Sequence, residues 1–267
     1  MITKNKIEEF QDKVLTYYQD HGRDLPWRHT TDPYAILVSE IMLQQTQVDR
    51  VISFYHRWLQ QWPTVQSLAA ARREDVLKAW MGLGYNNRAV RLHQCARVIV
   101  EQFAGDVLHA MAYYKEVPGI GPYTSHAVRI FAANEDLVTV DTNIRRIFIH
   151  EFGLPESLSD KELWAIAERC LPKGKSCDWH NALMDYGATL MTARRTGIRP
   201  KTRQSEFEGS DRQIRAGILR FILTNGKCPL DGLSSCCPDR ERLLRILSAM
   251  IRDGIIVKRD SLFVLSE

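Results

Sequence analysis

The chain has 267 residues, enough for one large or two modest domains with a buried core. Hydrophobic residues make up 45% and charged residues 25%, the balance of a soluble globular protein, and no apolar run approaches a membrane span. The net charge of +4 suits a polyanionic partner without requiring one, and residues 1–6 lead into an amphipathic helix with no signal-peptide pattern, so a cytoplasmic location is expected.

Taken in order, Ile7, Phe10, Val14, Leu15 and Tyr18 recur at helical spacing and predict a helix over 7–21. A loop follows from Arg23 to Asp32. Pro33 then opens a helix expected to reach about Gln47, with its missing N–H harmless in the first turn. Further helices are expected over 48–62, 75–81, 87–103 and 111–116, with a break at 82–85. The stretch Val117-Pro118-Gly119-Ile120-Gly121-Pro122-Tyr123-Thr124 reads as a tight turn between helices. Gly119 and Gly121 are expected at positive φ, and Thr124-Ser125 opens a helix to Phe131. The free N–H groups and positive dipole end of that helix suit a phosphodiester, making Gly119, Gly121 and Thr124 candidate DNA-backbone contacts. A Gly-x-Gly turn alone is more often an ordinary turn.

Helices are expected again over 142–152, 160–170 and 179–193, and no alternating strand pattern precedes residue 254. Residues 194–209 read as a linker. It holds Arg194, Arg195, Arg199, Lys201 and Arg203 with no acid between them, either a solvated segment or a phosphate-facing strap. Ser210 caps a helix over 211–225, and 240–253 forms another with Leu243, Leu244, Leu247, Met250 and Ile251 on one face. A β-hairpin over 255–265, turning at 259–261, completes a winged-helix pattern, a module that serves DNA or protein contacts. The six cysteines show no paired Cys-x-x-Cys spacing, and free thiols are expected with no zinc site. The eight histidines show no metal spacing, and His180 reads as a packing or hydrogen-bonding residue.

Two acids stand out. Glu40 lies among Ile36, Leu37, Val38, Ile41, Met42 and Leu43, company that raises a carboxyl pKa and lets it act as an acid at neutral pH. The plainer alternative is a carboxylate paired with arginine at a helix surface. Asp141 falls 18 residues after Tyr123, far enough for a helix and a return; it also reads as the N-cap of the helix that starts there.

Several motifs occur together: Arg23-Asp24-Leu25-Pro26-Trp27-Arg28, Asp32-Pro33-Tyr34, Ser39-Glu40-Ile41-Met42-Leu43-Gln44-Gln45-Thr46-Gln47-Val48, Leu83-Gly84-Tyr85, the Pro-Gly-Ile-Gly hairpin and Asp141-Thr142-Asn143. In this combination the chain resembles the helix-hairpin-helix DNA glycosylases from about residue 8 to about 192, and within them the adenine DNA glycosylase (MutY) family. The resemblance implies an all-α, two-lobed fold over 1–193, with a central lobe over about 25–134 and a second lobe from 1–24 plus 135–193. The basic linker 194–209 and a small winged-helix module over 210–267 follow. It implies that Glu40 protonates the departing adenine, that Asp141 stabilises the cationic sugar, and that Asn143 supports the pair. Tyr123 stands where strand-cutting relatives carry a Schiff-base lysine, which implies base removal without efficient lyase activity. Gln44, Gln45 and Tyr85 match residues that wedge the duplex after base extrusion. Arg23, Trp27, Arg28 and Leu43 match adenine-pocket positions. Asn181 stands where the family has Glu or Gln. By residue type alone, Tyr85 is as readable as a core tyrosine and Tyr123 as a packed aromatic beside the turn, and the pocket set reads first as ordinary loop and helix packing.

The sequence departs from that family twice. The four cluster cysteines, spaced Cys-x6-Cys-x2-Cys-x5-Cys, fall on Met191, Ile198, Lys201 and Phe207, so no iron–sulfur cluster is expected there and no other cofactor is implied. Met191, Ile198 and Phe207 are expected to plug that loop instead. The family's domain that recognises 8-oxoguanine is not expected among residues 210–267, which read as the short C-terminal module, so recognition of the opposite base is open. The expectation is a monofunctional DNA glycosylase, a monomer acting on double-stranded DNA, that removes adenine mispaired with guanine or 8-oxoguanine. Thymine or uracil removal opposite guanine, and DNA binding without chemistry, stay open beside it.

Overall fold

The computed structural model describes residues 2–201 and 206–266. The described chain is mostly helical. In order it forms α1 (Lys4–His21), α2 (Pro33–Leu43), α3 (Val48–Gln61), α4 (Val65–Ala69), α5 (Arg73–Trp80), α6 (Asn87–Phe103), α7 (Val107–Ala112) and α8 (Pro122–Ala133). Then come α9 (Thr142–Phe152), α10 (Asp160–Cys170), α11 (Ser176–Thr189), α12 (Ala193–Thr196) and α13 (Asp211–Asn225). β1 (Lys227–Pro229), α14 (Arg240–Arg252), β2 (Ile256–Arg259) and β3 (Leu262–Leu265) complete it. Two compact units result: Met1–Glu40, Met111–Lys115 and Ile120–Arg203 in the first, Ile41–Ala110, Glu116–Gly119 and Gln204–Glu267 in the second.

In the first unit, Thr3 caps α1 through the Lys6 amide, and Ile7, Phe10 and Val14 turn inward. Phe10 meets Phe152 at 5.1 Å, Trp179 at 5.5 Å and Phe148 at 6.0 Å between ring centroids, all edge to face. Ile147, Leu183 and Tyr186 close this core, which fixes α9 and α11 against α1. In the second unit, Trp58, Trp80 and Leu68 are fully buried, with the Trp58 and Trp80 rings edge to face at 5.4 Å.

The helices over 87–103, 142–152, 160–170 and 211–225 stand where periodicity put them. Others differ. α2 ends at Leu43, short of Gln47, because Gln45 adopts φ +57 and breaks the ladder. The expected helix over 111–116 is α7 followed by a 3-10 turn at Tyr114–Glu116. α4 was not expected; a capping box between Thr64 and Ser67 starts it. α8 begins at Pro122, ahead of Thr124, since proline fits a first turn. The helix expected to reach Ala193 stops at Thr189, and Thr192 caps the separate α12.

The C-terminal sheet has the order β1-β3-β2, with Cys228 opposite Phe263 and Val257 opposite Val264. β1 corrects the expectation of no strand before 254. At three residues it is too short to alternate, and Pro229 is tolerated on this edge. The buried face of α14 is Leu243, Ile246, Leu247 and Met250, whereas Leu244 and Ile251 are exposed. With α13, this is the topology of a winged helix.

Candidate active site

Asp32 accepts the Tyr34 amide at 3.0 Å, and Pro33 sets the first turn of α2. From Tyr34 to Met42 every residue of α2 is buried. Glu40 is thus a carboxyl on a helix without a wet face, and it is 7% exposed. Burial first, and the negative charge of Asp141 second, push its pKa up to about 8. At neutral pH it carries its proton. The surface-carboxylate alternative is excluded by this burial.

Asp141 caps α9. Its Oδ1 accepts the Ile144 amide at 2.7 Å and its Oδ2 accepts the Asn143 side-chain amide at 3.2 Å. Burial raises the Asp141 pKa, while the Ile144 and Asn143 amides and the Arg146 charge pull it back. Among the described residues, no amide or cation relieves Glu40 in this way. Of two acids that repel each other when both are charged, Asp141 therefore ionises first and Glu40 keeps the proton. The cap and the ionised partner are one role, since the amides that start α9 also solvate the carboxylate. Tyr123, in the first turn of α8, is half-buried. Burial, then the charges of Glu40 and Asp141, raise its phenol well above the ordinary range, so it stays neutral.

Arg146 joins this group without having been foreseen. Its Nη1 donates to Asn143 Oδ1 at 3.0 Å and to the Met191 carbonyl at 3.1 Å, and its Nε donates to the Ile198 carbonyl at 3.3 Å. The guanidinium therefore turns the Asn143 amide nitrogen toward Asp141. The three-residue spacing from Asn143 to Arg146 on a helix was the available signal.

The loop before α2 is held by a second unforeseen residue. Asp185 is fully buried and accepts Arg23 Nε at 2.6 Å, the Arg23 amide at 2.8 Å and both terminal nitrogens of Arg28 at 2.8 Å. These bonds hold the Asp185 pKa down against burial. Arg23 and Arg28 thus fix the loop that carries Trp27, itself buried in the 3-10 turn Pro26–Arg28. Arg23 and Arg28 lie five residues apart with a shared need for a counter-charge, but nothing in the sequence pointed to Asp185. Asn181 is buried on α11 and its amide meets Cys177 Sγ at 3.6 Å. The neighbouring His180 donates from Nδ1 to the Ser176 carbonyl at 2.8 Å and accepts the Thr139 amide on Nε2 at 3.2 Å. Its pKa falls to about 4, chiefly by burial, so it is a neutral hydrogen-bonding residue.

The second unit holds the other predicted set. Leu43 and Gln44 are half-buried, Gln45 is exposed and Tyr85 is half-buried. Gln45 and Tyr85 both take left-handed backbone, φ +57 and +48, which costs a residue with a side chain about 1 kcal/mol each. Buried Arg88 ties their turns together. Its Nη1 donates to the carbonyls of Ile41 and Met42, each at 2.9 Å, and to that of Gln44. Its Nη2 donates to Thr46 Oγ1 at 3.0 Å and to the carbonyls of Leu83 and Gly84 at 3.2 and 3.0 Å. Burial lowers its pKa to about 10, so it remains charged.

At the hairpin, Gly119 has φ +77, and a Cβ there would lie 2.8 Å from Arg91 Cβ, so glycine is required twice over. Gly121 differs from expectation: its φ is −106, and it serves as the N-cap of α8. A Cβ on Gly121 would meet nothing within 4 Å, which leaves the helix entrance open. Thr124, in the first turn of α8, is buried. Arg194, Arg195 and Arg199 are exposed, Lys201 pairs with Asp160 at 2.6 Å, and Arg203 lies outside the described residues. Among the described residues, no group of three or more His, Cys, Asp or Glu side chains could hold a metal, and the cysteines are free thiols. The positions aligned with cluster cysteines do not fit such a group. Ile198 is buried and Met191 packs on the core as expected, but Phe207 is 54% exposed and is no plug.

A family model described as HhH-GPD superfamily base excision DNA repair protein matches residues 38–173. That span includes Glu40, Gln44, Gln45, Tyr85, the hairpin, Asp141 and Asn143. The chain is 35% identical over 271 residues to the adenine DNA glycosylase of Mycolicibacterium smegmatis, with 91% of each chain covered. It is 32% identical over 197 residues to the thymine/uracil-DNA glycosylase of Methanothermobacter thermautotrophicus, covering 72% of this chain and 89% of that one. A solved structure of a thermostable thymine-DNA glycosylase is similar with a TM-score of 0.69 at 32% identity, covering 75% of this chain and 93% of that one.

Proposed function

Because the chain belongs to the HhH-GPD superfamily of base excision DNA repair proteins, we propose that it hydrolyses the N-glycosidic bond of adenine mispaired with guanine or 8-oxoguanine. The observation that carries this reading is a pair of carboxyls in unlike settings: Glu40 is buried with its pKa pushed up to about 8, and Asp141 is held by the Ile144 and Asn143 amides, which oppose the rise that burial causes. Breaking a glycosidic bond leaves charge on both fragments. Glu40 donates its proton to the departing base, which leaves neutral. The Asp141 carboxylate then faces an oxocarbenium-like sugar, and water completes the hydrolysis. A module that only bound DNA would need neither acid.

Tyr123 supports base removal without strand cleavage, since a neutral phenol forms no Schiff base. The strained turns at Gln45 and Tyr85 suit insertion into a duplex from which a base has been extruded. The open entrance to α8 and exposed Arg194 and Arg195 suit phosphate contact. Adenine is favoured over thymine by the extent of the likeness. The alignment with the adenine enzyme leaves 9% of this chain outside it, less than residues 210–267 make up, so it reaches into the C-terminal module. The protein works without an iron–sulfur cluster at the loop aligned with cluster cysteines, because the aligned positions offer no thiolate, and action as a monomer is part of the same proposal. The partition into a glycosylase domain over 1–193 and a winged-helix module over 210–267 belongs to the same proposal.

The test is a single-turnover assay on duplexes pairing A, T or U with G and with 8-oxoguanine. Adenine should be released opposite both partners, leaving an abasic strand that breaks only after alkali. Release of thymine or uracil opposite guanine, with adenine untouched, transfers the protein to the other activity. Strand breaks without alkali overturn the Tyr123 reading.

A further inference from the structure

Within the second unit the C-terminal segment is packed at two points. Arg73 on α5 donates to the Gly254 carbonyl at 3.3 Å and to Ser266 Oγ at 3.0 Å. Gly254 has φ +67, and a Cβ there would lie 3.6 Å from Val90 Cγ1 on α6, so this turn sits directly on the helix. The other point is Arg212, in the first turn of α13. Its Nη1 donates to the Tyr85 hydroxyl at 3.2 Å, and its guanidinium lies 5.3 Å from the centre of the Tyr85 ring. Arg88 lies 5.6 Å from the same ring. One tyrosine on strained backbone is therefore addressed by two guanidinium groups, one from the first turn of α6 and one from the C-terminal segment.

We infer that Arg212 is a positioning residue for base extrusion: the C-terminal module acts on the reaction by fixing the Tyr85 ring, beyond any affinity it adds. The inference rests on the reading of Tyr85 as the residue that enters the duplex. A ring that replaces a base in the stack must already have its orientation, or ordering it is added to the barrier. Arg212 supplies both a hydrogen bond at the ring's tip and a cation near the ring. Phosphate contacts elsewhere on the module would change affinity alone. This linkage would change the extrusion step in the bound complex.

The experiment uses the full chain and a duplex with 2-aminopurine beside the A:8-oxoguanine mispair, whose fluorescence rises when the stack opens. At saturating protein, Arg212→Ala should slow that rise about tenfold, the scale of one hydrogen bond and one cation–π contact. Arg212→Lys should recover part of it. In a Tyr85→Ala background, Arg212→Ala should add no further loss, because its effect passes through the ring. An equal loss in both backgrounds, or an Arg212→Ala defect confined to the dissociation constant, overturns the inference. If Arg212→Ala fails to fold, Arg212→Lys and Tyr85→Phe, which removes only the hydroxyl, decide it: unchanged extrusion in both is contrary, slowed extrusion in both is supporting. Opening of the stack by wild type without adenine release would count against the proposed function alone, since the Arg212 comparison is read from extrusion.

Discussion

Glu40 carries a cost that its neighbours would otherwise avoid. A helix buried on every side would be more stable with an apolar residue there, yet position 40 holds a carboxyl that must stay protonated. The folded chain keeps this proton up to about pH 8, whereas the unfolded chain releases it in the ordinary glutamate range. Between those values the folded state binds the extra proton, so stability is fullest below the window, falls as pH rises through it, and levels off above it. Glu40→Gln removes the ionisation while keeping the shape. Its melting temperature should exceed that of wild type at about pH 9, and the difference should shrink toward about pH 5. Thermal melts across that range check it, and a difference independent of pH would show that Glu40 is not a buried acid of raised pKa. Asp141 is raised by burial as well, but there the amides of Ile144 and Asn143 and the charge of Arg146 work against that rise. Its amide partners are supplied by the start of α9, so the fold solvates the charge the reaction uses.

At the scale of elements, the end of α2 decides where Gln44 and Gln45 are presented. Helix ends leave carbonyls without partners, and here the Ile41, Met42 and Gln44 carbonyls are met by Arg88 from α6. Arg88→Met should therefore cost about 3 kcal/mol in urea unfolding, by leaving buried carbonyls unpaired, and should also impair extrusion by loosening both turns. A loss below about 1 kcal/mol would mean that water or neighbouring groups replace the guanidinium. The same contact explains why the sequence misplaced this helix end. Gln44-Gln45-Thr46 contains no glycine or proline to announce the left-handed turn at Gln45, and the residue that satisfies the freed carbonyls lies far along the chain. α6, α9, α10 and α13 were legible because apolar spacing and local caps set them. β1 was not, since only pairing with β3 makes it a strand. In the site, the burial of Glu40 fits its apolar neighbours and the cap at Asp141 fits its place before α9, whereas the roles given to both acids were read from likeness. Asp185, Arg146 and Arg88 act through partners that folding alone brings to them. The roles of Arg23 and Arg28 were read from likeness, and the structure adds the buried acid that holds both.

At the scale of the molecule, the acid pair belongs to one compact unit and the strained turns with the C-terminal module to the other. On the proposed reading, chemistry and duplex distortion fall to different parts of the chain. The loop aligned with cluster cysteines is tied instead by Arg146 to the Met191 and Ile198 carbonyls, so the residue that orients Asn143 also holds that loop. The module does not repeat the acid pair; it reaches Tyr85. The whole account turns on the proton of Glu40, and the pH dependence of single-turnover adenine release at saturating protein tests it most directly. The rate should be high while Glu40 is protonated and Asp141 is ionised, and should fall as pH rises through about 8, with Glu40→Gln inactive throughout. A rate that stays flat or climbs above about pH 8, or substantial release by Glu40→Gln, would contradict the assignment of Glu40 as the acid.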